Sequence, residues 1–380
     1  MKFTLNSLVV QSAIKPLGPI INFDHPTLGL RQIVIAYDKD KKAILFKGFN
    51  DHTLGVFFVP LETGDFDCIA VNAKKFFGVI SNFNGADVKF ELKDSNLHLV
   101  AGKSKYKLPI LDDSGSWAII NEFDHIFQET MPVPTSVFNI GSFCSNVNQV
   151  AHCAFKSTAT RANKDGFSNW SLQHIAINSD SMVACDGYKA AILATTSECA
   201  APIIMHNKVI ESIANLDWKA NVQIGEYGTE SKRLVVQSEF FMLVSILNNV
   251  DYQLDAVVQL KTSFDEQKER LPKIVMNPDQ VALLINRIIP LADKETHSIQ
   301  VVLEGDNQVK FIVANNYYAE EAIEYTSSQP ITREECNIDG RTIVDFMKAC
   351  SSEESIIWYF GEEGHNYFVS GNLLQFCASL

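Results

Sequence analysis

The sequence predicts an α+β chain made of three tandem copies of one domain, each carrying two helices packed on sheets. Two observations predict this: one local order of elements recurs three times, and its landmarks keep a nearly constant period. The order is a short strand, a helix, several strands, a second helix and a closing group of strands. With 380 residues, 46% of them hydrophobic, the chain is long enough for two to three domains, each with its own core.

The opening strand reads Phe3-Thr4-Leu5 and returns as Phe138-Asn139-Ile140 and Ile274-Val275-Met276, at intervals of 135 and 136 positions. A helix follows each. In the second copy Phe143, Cys144, Val147, Val150, Ala151, Ala154 and Phe155 share one face at helical spacing, while Ser145, Asn146, Gln149, His152 and Lys156 share the other. In the third copy Asn277-Pro278-Asp279 opens the helix, Asn as cap and Pro at the first helical position, and Val281, Leu284, Ile285 and Ile288 form the apolar stripe. The second helices start near Lys75, Lys208 and Arg341, 133 positions apart each time. Closing strands at 88–92, 222–224 and 356–360 keep a step of 134. Linkers are expected near 128–134, around Met131-Pro132-Val133-Pro134, and near 262–272, around the charged run from Asp265 to Arg270. The domains are then 1–130, 131–262 and 263–380.

The formal net charge is −13, which excludes a histone-like or tail-type nucleic-acid binder; any attraction to phosphates must be local. No stretch approaches the roughly 18 apolar residues of a membrane span, and Asn6, Ser7, Gln11 and Lys15 break any signal-type core, so a cytoplasmic protein is expected. The eight cysteines form no CxxC pair and read as reduced core thiols, with no metal site. Gly102-Lys103-Ser104 lacks the glycine that a phosphate loop needs five positions earlier, where Leu97 stands, and reads as a hairpin turn. HExxH, GxSxG and GxGxxG motifs are absent and Glu362-Glu363 reads as a charged turn, so neither catalysis nor a cofactor is expected.

Three such domains can bend into half a ring if neighbouring sheets continue edge to edge, and two chains then close it, with helices lining the hole. Lys75, Lys208 and Arg341 all sit near the first turn of a second helix, where the helix dipole disfavours cations, and a repeated local penalty points to a use. With Lys15, Lys74, Lys156, Arg287 and Lys348 they form a basic lining suited to phosphates and indifferent to base sequence. Any one of these cations alone reads as a solvated surface charge; the set carries the argument.

Over essentially its whole length the chain resembles the bacterial beta sliding clamps, the ring-shaped processivity factors of DNA polymerase. The resemblance rests on Met1-Lys2-Phe3-Thr4, Ser104-Lys105-Tyr106-Lys107-Leu108, Cys185-Asp186-Gly187-Tyr188-Lys189-Ala190, Asp251-Tyr252, Ala314-Asn315-Asn316 and Glu320-Glu321-Ala322, in the family's order and spacing. It implies a homodimeric six-domain ring around double-stranded DNA, serving a polymerase and an ATP-dependent clamp loader through short hydrophobic peptides. The implied peptide pocket is walled by Leu172, Gly187, Tyr188, Lys189, Ala190, Val250, Leu254, Leu374, Phe376 and Leu380. The implied ring contact sets Tyr106 and Leu108 against Pro290 and Leu291. The family's His-Arg-Leu is Tyr188-Lys189-Ala190 here, its proline before Asp-Tyr is Val250, an arginine after it is Leu254, and its ending is Phe376-Cys377-Ala378-Ser379-Leu380. These departures imply an altered peptide preference, as in a divergent or phage-encoded member.

Without the resemblance, Tyr188 and Phe376 read as core residues and Asp186-Gly187 as a turn. Two other functions stay open on sequence alone: an enzyme on repeated helix-on-sheet domains, and a clamp-shaped decoy that binds clamp partners without encircling DNA.

Overall fold

A computed structural model describes residues 2–24, 26–50, 53–62, 64, 68–111, 136–138, 140–154, 171–196, 203–215, 222–227, 233–237, 240–246, 252, 254–304, 307–327, 331, 334–361 and 364–380. One order of ten elements occurs three times. The first copy runs β1 (Lys2–Asn6), α1 (Ser7–Ile14), β2 (Gln32–Asp38), β3 (Ala43–Phe49), β4 (Thr53–Pro60), β5 (Ile69–Asn72), α2 (Ala73–Ile80), β6 (Asp87–Lys93), β7 (Asn96–Ala101) and β8 (Ser104–Pro109). The second runs β9 (Ser136–Phe138), α3 (Ile140–Ala151), β10 (His174–Ile177), β11 (Ser181–Cys185), β12 (Lys189–Ala194), β13 (Ile203–His206), α4 (Asn207–Ala214), β14 (Val222–Tyr227), β15 (Arg233–Gln237) and β16 (Phe241–Ile246). After a further helix, α5 (Leu254–Gln267), the third runs β17 (Lys273–Met276), α6 (Pro278–Ile288), β18 (Ser298–Glu304), β19 (Gln308–Ala314), β20 (Tyr318–Glu324), β21 (Glu334–Asp339), α7 (Gly340–Ala349), β22 (Ile356–Phe360), β23 (His365–Ser370) and β24 (Leu373–Ala378).

The strand-to-helix joints share one chemistry. Asn6, Asn72, Asn277 and Asp339 each leave a strand in extended conformation and accept a backbone N–H from the first turn of the helix that follows. A short side-chain acceptor satisfies a donor that helix geometry leaves orphaned, so the chain turns from strand to helix without a loop. Each helix then buries one stripe: Phe76 and Ile80 in α2, Val281, Ile285 and Ile288 in α6, Ile343, Phe346 and Met347 in α7. Aromatic contacts fill the space beneath, Phe76 and Phe3 on Phe90 in the first copy, Phe346 and Trp358 on Phe368 in the third.

The sheets do not respect the repeats. A four-stranded sheet β1-β6-β7-β8 lies in the first copy and another, β20-β19-β18-β21, in the third. The other two sheets cross from copy to copy: β5-β2-β3-β4 of the first continues through β4 into β16-β15-β14-β9 of the second. Likewise β13-β10-β11-β12 of the second continues through β12 into β24-β23-β22-β17 of the third. Both seams are antiparallel and both join the third middle strand of one copy to the last strand of the next. Each seam is a ladder of five paired residues, and the chain divides into two compact units, Met1–Cys144 with Lys208–Asn249 and Ser145–Asn207 with Val250–Leu380, a division that cuts the second copy.

Some local expectations shift. The second opening strand is Ser136–Phe138, two residues earlier than the pattern suggests, because Ile140 already starts the helix. His152, expected on a polar face, is buried and hydrogen-bonded to Gln375. The charged run expected to be a linker instead begins inside α5, which extends to Gln267, and Asp265 pairs with Lys261 a turn before it and with Lys268 just past the helix end, at 2.6 and 3.1 Å. Cys68 is exposed and Cys185 and Cys336 half-buried, so not every thiol is core. The hairpin reading of Gly102-Lys103 holds: Ala101 and Ser104 pair across it, and Gly102 has φ +56°. The linker near 131–134 and the Glu362-Glu363 pair lie outside the described residues. Among the described residues no helix is long and apolar enough to cross a membrane.

Candidate nucleic-acid face and partner groove

The basic residues picked out by the sequence fall at helix ends. Lys74 and Lys75 stand exposed in the first turn of α2, capped by Asn72. Lys208 and Arg341 hold the equivalent turn of α4 and α7, Lys15 follows α1, and Arg287 and Lys348 lie in the last turns of α6 and α7, where the dipole favours them. Lys156 lies outside the described residues.

Carboxylates temper this set. Lys74 lies 3.2 Å from Asp24, Lys208 3.2 Å from Glu211 and Arg287 3.7 Å from Glu321. Arg341 is gripped through Nε and its terminal nitrogen by Asp339, the residue that caps its own helix, and this contact raises its already high pKa. Among the described residues Lys15, Lys75 and Lys348 have no carboxylate partner. The helical segments of α1 and α3 carry no cation at all. The expected basic set is therefore thinner than the count of lysines suggests, and its members stand in second helices and at helix ends.

On unit Ser145–Asn207 with Val250–Leu380, most of the implied peptide walls come together. The hairpin between β11 and β12 is set by Asp186, whose Oδ1 accepts the N–H groups of Tyr188 and Lys189 at 2.9 Å each, and by Gly187 at φ +94°, a left-handed conformation that suits glycine. Burial pushes the Asp186 carboxyl up. Tyr188 is thrown outward, 80% exposed, contrary to its core reading, while Ala190 and Phe376 lie paired in the ladder between β12 and β24. Gly187, Tyr188, Lys189, Ala190 and Phe376 line a cavity of about 170 Å³ together with Leu260, Tyr367 and the polar His365 and Asn366, among others.

The other implied walls differ in place. Leu374 and Leu254 join the apolar cluster under α5, and Leu172 packs beside Gly187, 3.6 Å from where a Cβ would stand. Leu380 is exposed, its N–H donated to the Asn337 carbonyl, and does not line the cavity. Val250 lies outside the described residues. Sequence reading missed Val257, Leu260 and Phe264 of α5, although their spacing with Leu254 is that of an amphipathic helix. Burial pushes the thiol of Cys377 up to about 12 and raises the Tyr252 phenol, whose hydroxyl donates to the Val183 carbonyl at 3.3 Å.

Of the implied ring contact, Tyr106 is 39% exposed on the outer strand β8 and Pro290 is exposed after α6, whereas Leu108 is 7% exposed, already buried in its own core, and Leu291 is half-buried.

No protein-family model and no curated protein matches the chain. Among solved structures it is similar along its full length to the DNA polymerase III subunit beta of Pseudomonas aeruginosa, at 14% identity and a TM-score of 0.68, with all of both chains covered. The Helicobacter pylori beta clamp bound to a DNA ligase peptide matches at 14% and 0.69, again over both whole chains. The sliding clamp of Bartonella birtlesii bound to griselimycin matches at 13% and 0.70, over all of this chain and 99% of that one. Three copies of one element order, joined by two strand seams and matched end to end by these chains, give this protein the fold of the bacterial DNA polymerase III beta sliding clamps.

Proposed function

We propose that the protein is a DNA sliding clamp, a polymerase processivity factor with three domains near 1–130, 131–262 and 263–380, two chains of which close a six-domain ring around duplex DNA. The observation that carries this is the rule of the seams. Each joins the third middle strand of one copy to the last strand of another, as β4 to β16 and β12 to β24. Applied once more, the rule leaves β20 of one chain to receive β8 of a second, and the same contact repeated closes a two-chain ring.

The two edges are chemically matched. In β8, Tyr106 sides with the helix layer through its contact with Phe83, so Lys105 and Lys107 point to the opposite face. In β20, Glu321 sides with Arg287 of α6, so Glu320 and Glu324 point away from the helices. Lysines on one edge thus meet glutamates on the other, which favours head-to-tail pairing over pairing of like edges.

Inside such a ring Lys15, Lys75 and Lys348 meet phosphates without a competing carboxylate, and topology rather than affinity retains the DNA. Partners, a polymerase and an ATP-dependent clamp loader in a bacterial or phage-infected cytosol, dock hydrophobic segments beside Tyr188, Ala190 and Phe376. Such a protein needs no catalytic residue or cofactor of its own. The test is retention: clamp loaded on closed circular DNA is expected to remain bound and to leave when the circle is cut once. Equal retention on circular and linear DNA refutes encirclement.

A further inference from the structure

α5 belongs to none of the three repeated patterns, and it lies on the sheet face assigned above to partner segments. Over its 14 residues only Val257 and Phe264 are buried. They are seven positions apart, two helical turns, and so share one face. Both enter the cluster that holds Ala190, Leu374 and Phe376, and the Phe264 ring stands edge-on to Tyr359 at 5.2 Å and over Tyr367 at 4.8 Å. Leu254, Ser263 and Gln267 are half-buried and the remaining residues of the helix face water, with Val258 50% and Leu260 39% exposed. Beyond its ends the chain is tied down, by the Tyr252 hydroxyl to Val183 on one side and by buried Leu271 on the other.

A helix held by two buried side chains and the half-buried Leu254, and tethered at both ends, opens locally, without the rest of the fold. We propose that α5 is a displaceable strap that keeps the partner groove shut, and that a partner segment opens it by replacing Val257 and Phe264 with its own aliphatic and aromatic anchors, spaced two helical turns apart. The proposal rests on the reading of this face as the partner groove. Leu260 and the exposed Tyr188, on the lip of the 170 Å³ cavity, form the part of the groove that stays open and offers a first foothold. Partner affinity is then lowered by the fraction of molecules in which the strap is down.

Hydrogen exchange on the full-length protein tests the strap directly. Amides of residues 254–267 are expected to exchange at least a hundredfold faster than those of β23 and β24. A labelled synthetic peptide copying residues 252–270 is expected to bind the Val257→Ser, Phe264→Ser double variant at least tenfold more tightly than the wild type. Exchange of α5 in step with β24 overturns the proposal, as does equal peptide affinity for the wild type and a variant whose circular dichroism matches it. If the variant does not fold, exchange in the wild type decides. Primer extension on circular DNA separates the two levels. Loss of stimulation by wild type and variant alike, with both strap results positive, refutes the clamp and leaves the strap; full stimulation with both strap results negative does the reverse.

Discussion

Thr53 and Ser245 stand 192 positions apart in the chain, yet their hydroxyl oxygens lie 3.1 Å from each other in the buried seam between β4 and β16. Four residues along the same seam Phe57 stacks on Phe241 with ring centroids 5.5 Å apart. The seam is a packed core element with its own polar pair.

Removing one member of that pair strands the other. Thr53→Val is expected to cost about 1–3 kcal/mol because the Ser245 hydroxyl is left buried without its partner, whereas Thr53→Val with Ser245→Ala recovers most of the loss. Urea unfolding of the two single variants and the double variant measures this.

Ring closure is testable on the charged edges. Lys105→Glu with Lys107→Glu changes exposed side chains, so the monomer fold should persist while sedimentation shifts from dimer to monomer. Mixing that protein with a Glu320→Lys, Glu324→Lys partner is expected to restore a dimer. A charge at Leu108 is a poor substitute, because that residue is buried in its own chain and its replacement unfolds the first copy.

The carboxylate held by Arg341 sets a prediction for DNA. Asp339→Asn keeps an acceptor for the α7 cap and removes the charge that occupies the guanidinium. The salt dependence of DNA binding is expected to steepen by up to about 0.9 in slope, while Lys75→Ala flattens it by a similar amount. Titrations of DNA binding across a salt series check both signs.

Asp186 couples the hairpin to pH. Burial raises its folded-state pKa above the ordinary carboxylate value, so the folded chain holds a proton that the unfolded chain has lost. Stability contributed by this group is present at low pH and declines as pH rises from the unfolded to the folded pKa. Asp186→Asn, which still accepts the Tyr188 and Lys189 amides, is expected to remove that decline and to be more stable than the wild type at neutral pH. Chemical denaturation from pH 4 to pH 7 measures the difference.

Thiol reactivity should sort by burial. Cys68 is expected to react with a maleimide in the native protein, and Cys144, Cys153, Cys350 and Cys377, buried with raised pKa values, only after unfolding. Mass mapping of the labelled sites checks the order.

The repeat was legible because helices and strands leave periodic apolar signatures, and Asn277-Pro278 marked its helix start to the residue. What sequence obscured was anything decided across long distances. The burial of Leu108 depends on packing that its exposed strand neighbours, Lys105 and Lys107, do not reveal. The acidic partners of Lys208 and Arg341 sit within three residues and were readable; those of Lys74 and Arg287 come from Asp24 and Glu321, which only folding brings near. α5 hid for another reason: eight of its 14 residues are charged or polar, two side chains alone mark its buried face, and the acidic and basic residues at its end resemble a linker.

The seams also bear on how the chain is made. As residues leave the ribosome in order, β4 is complete at residue 60 but its neighbour β16 arrives only with residues 241–246, and β12 waits from residue 194 for β24 at 373–378. Through most of synthesis each of these strands presents a bare hydrogen-bonding edge flanked by apolar side chains, the kind of surface that recruits strands from other chains. Residues 373–378 complete the second seam, so a ribosome that stalls before residue 373 releases a chain with β12 still unpartnered, prone to assemble with its own kind in the wrong register.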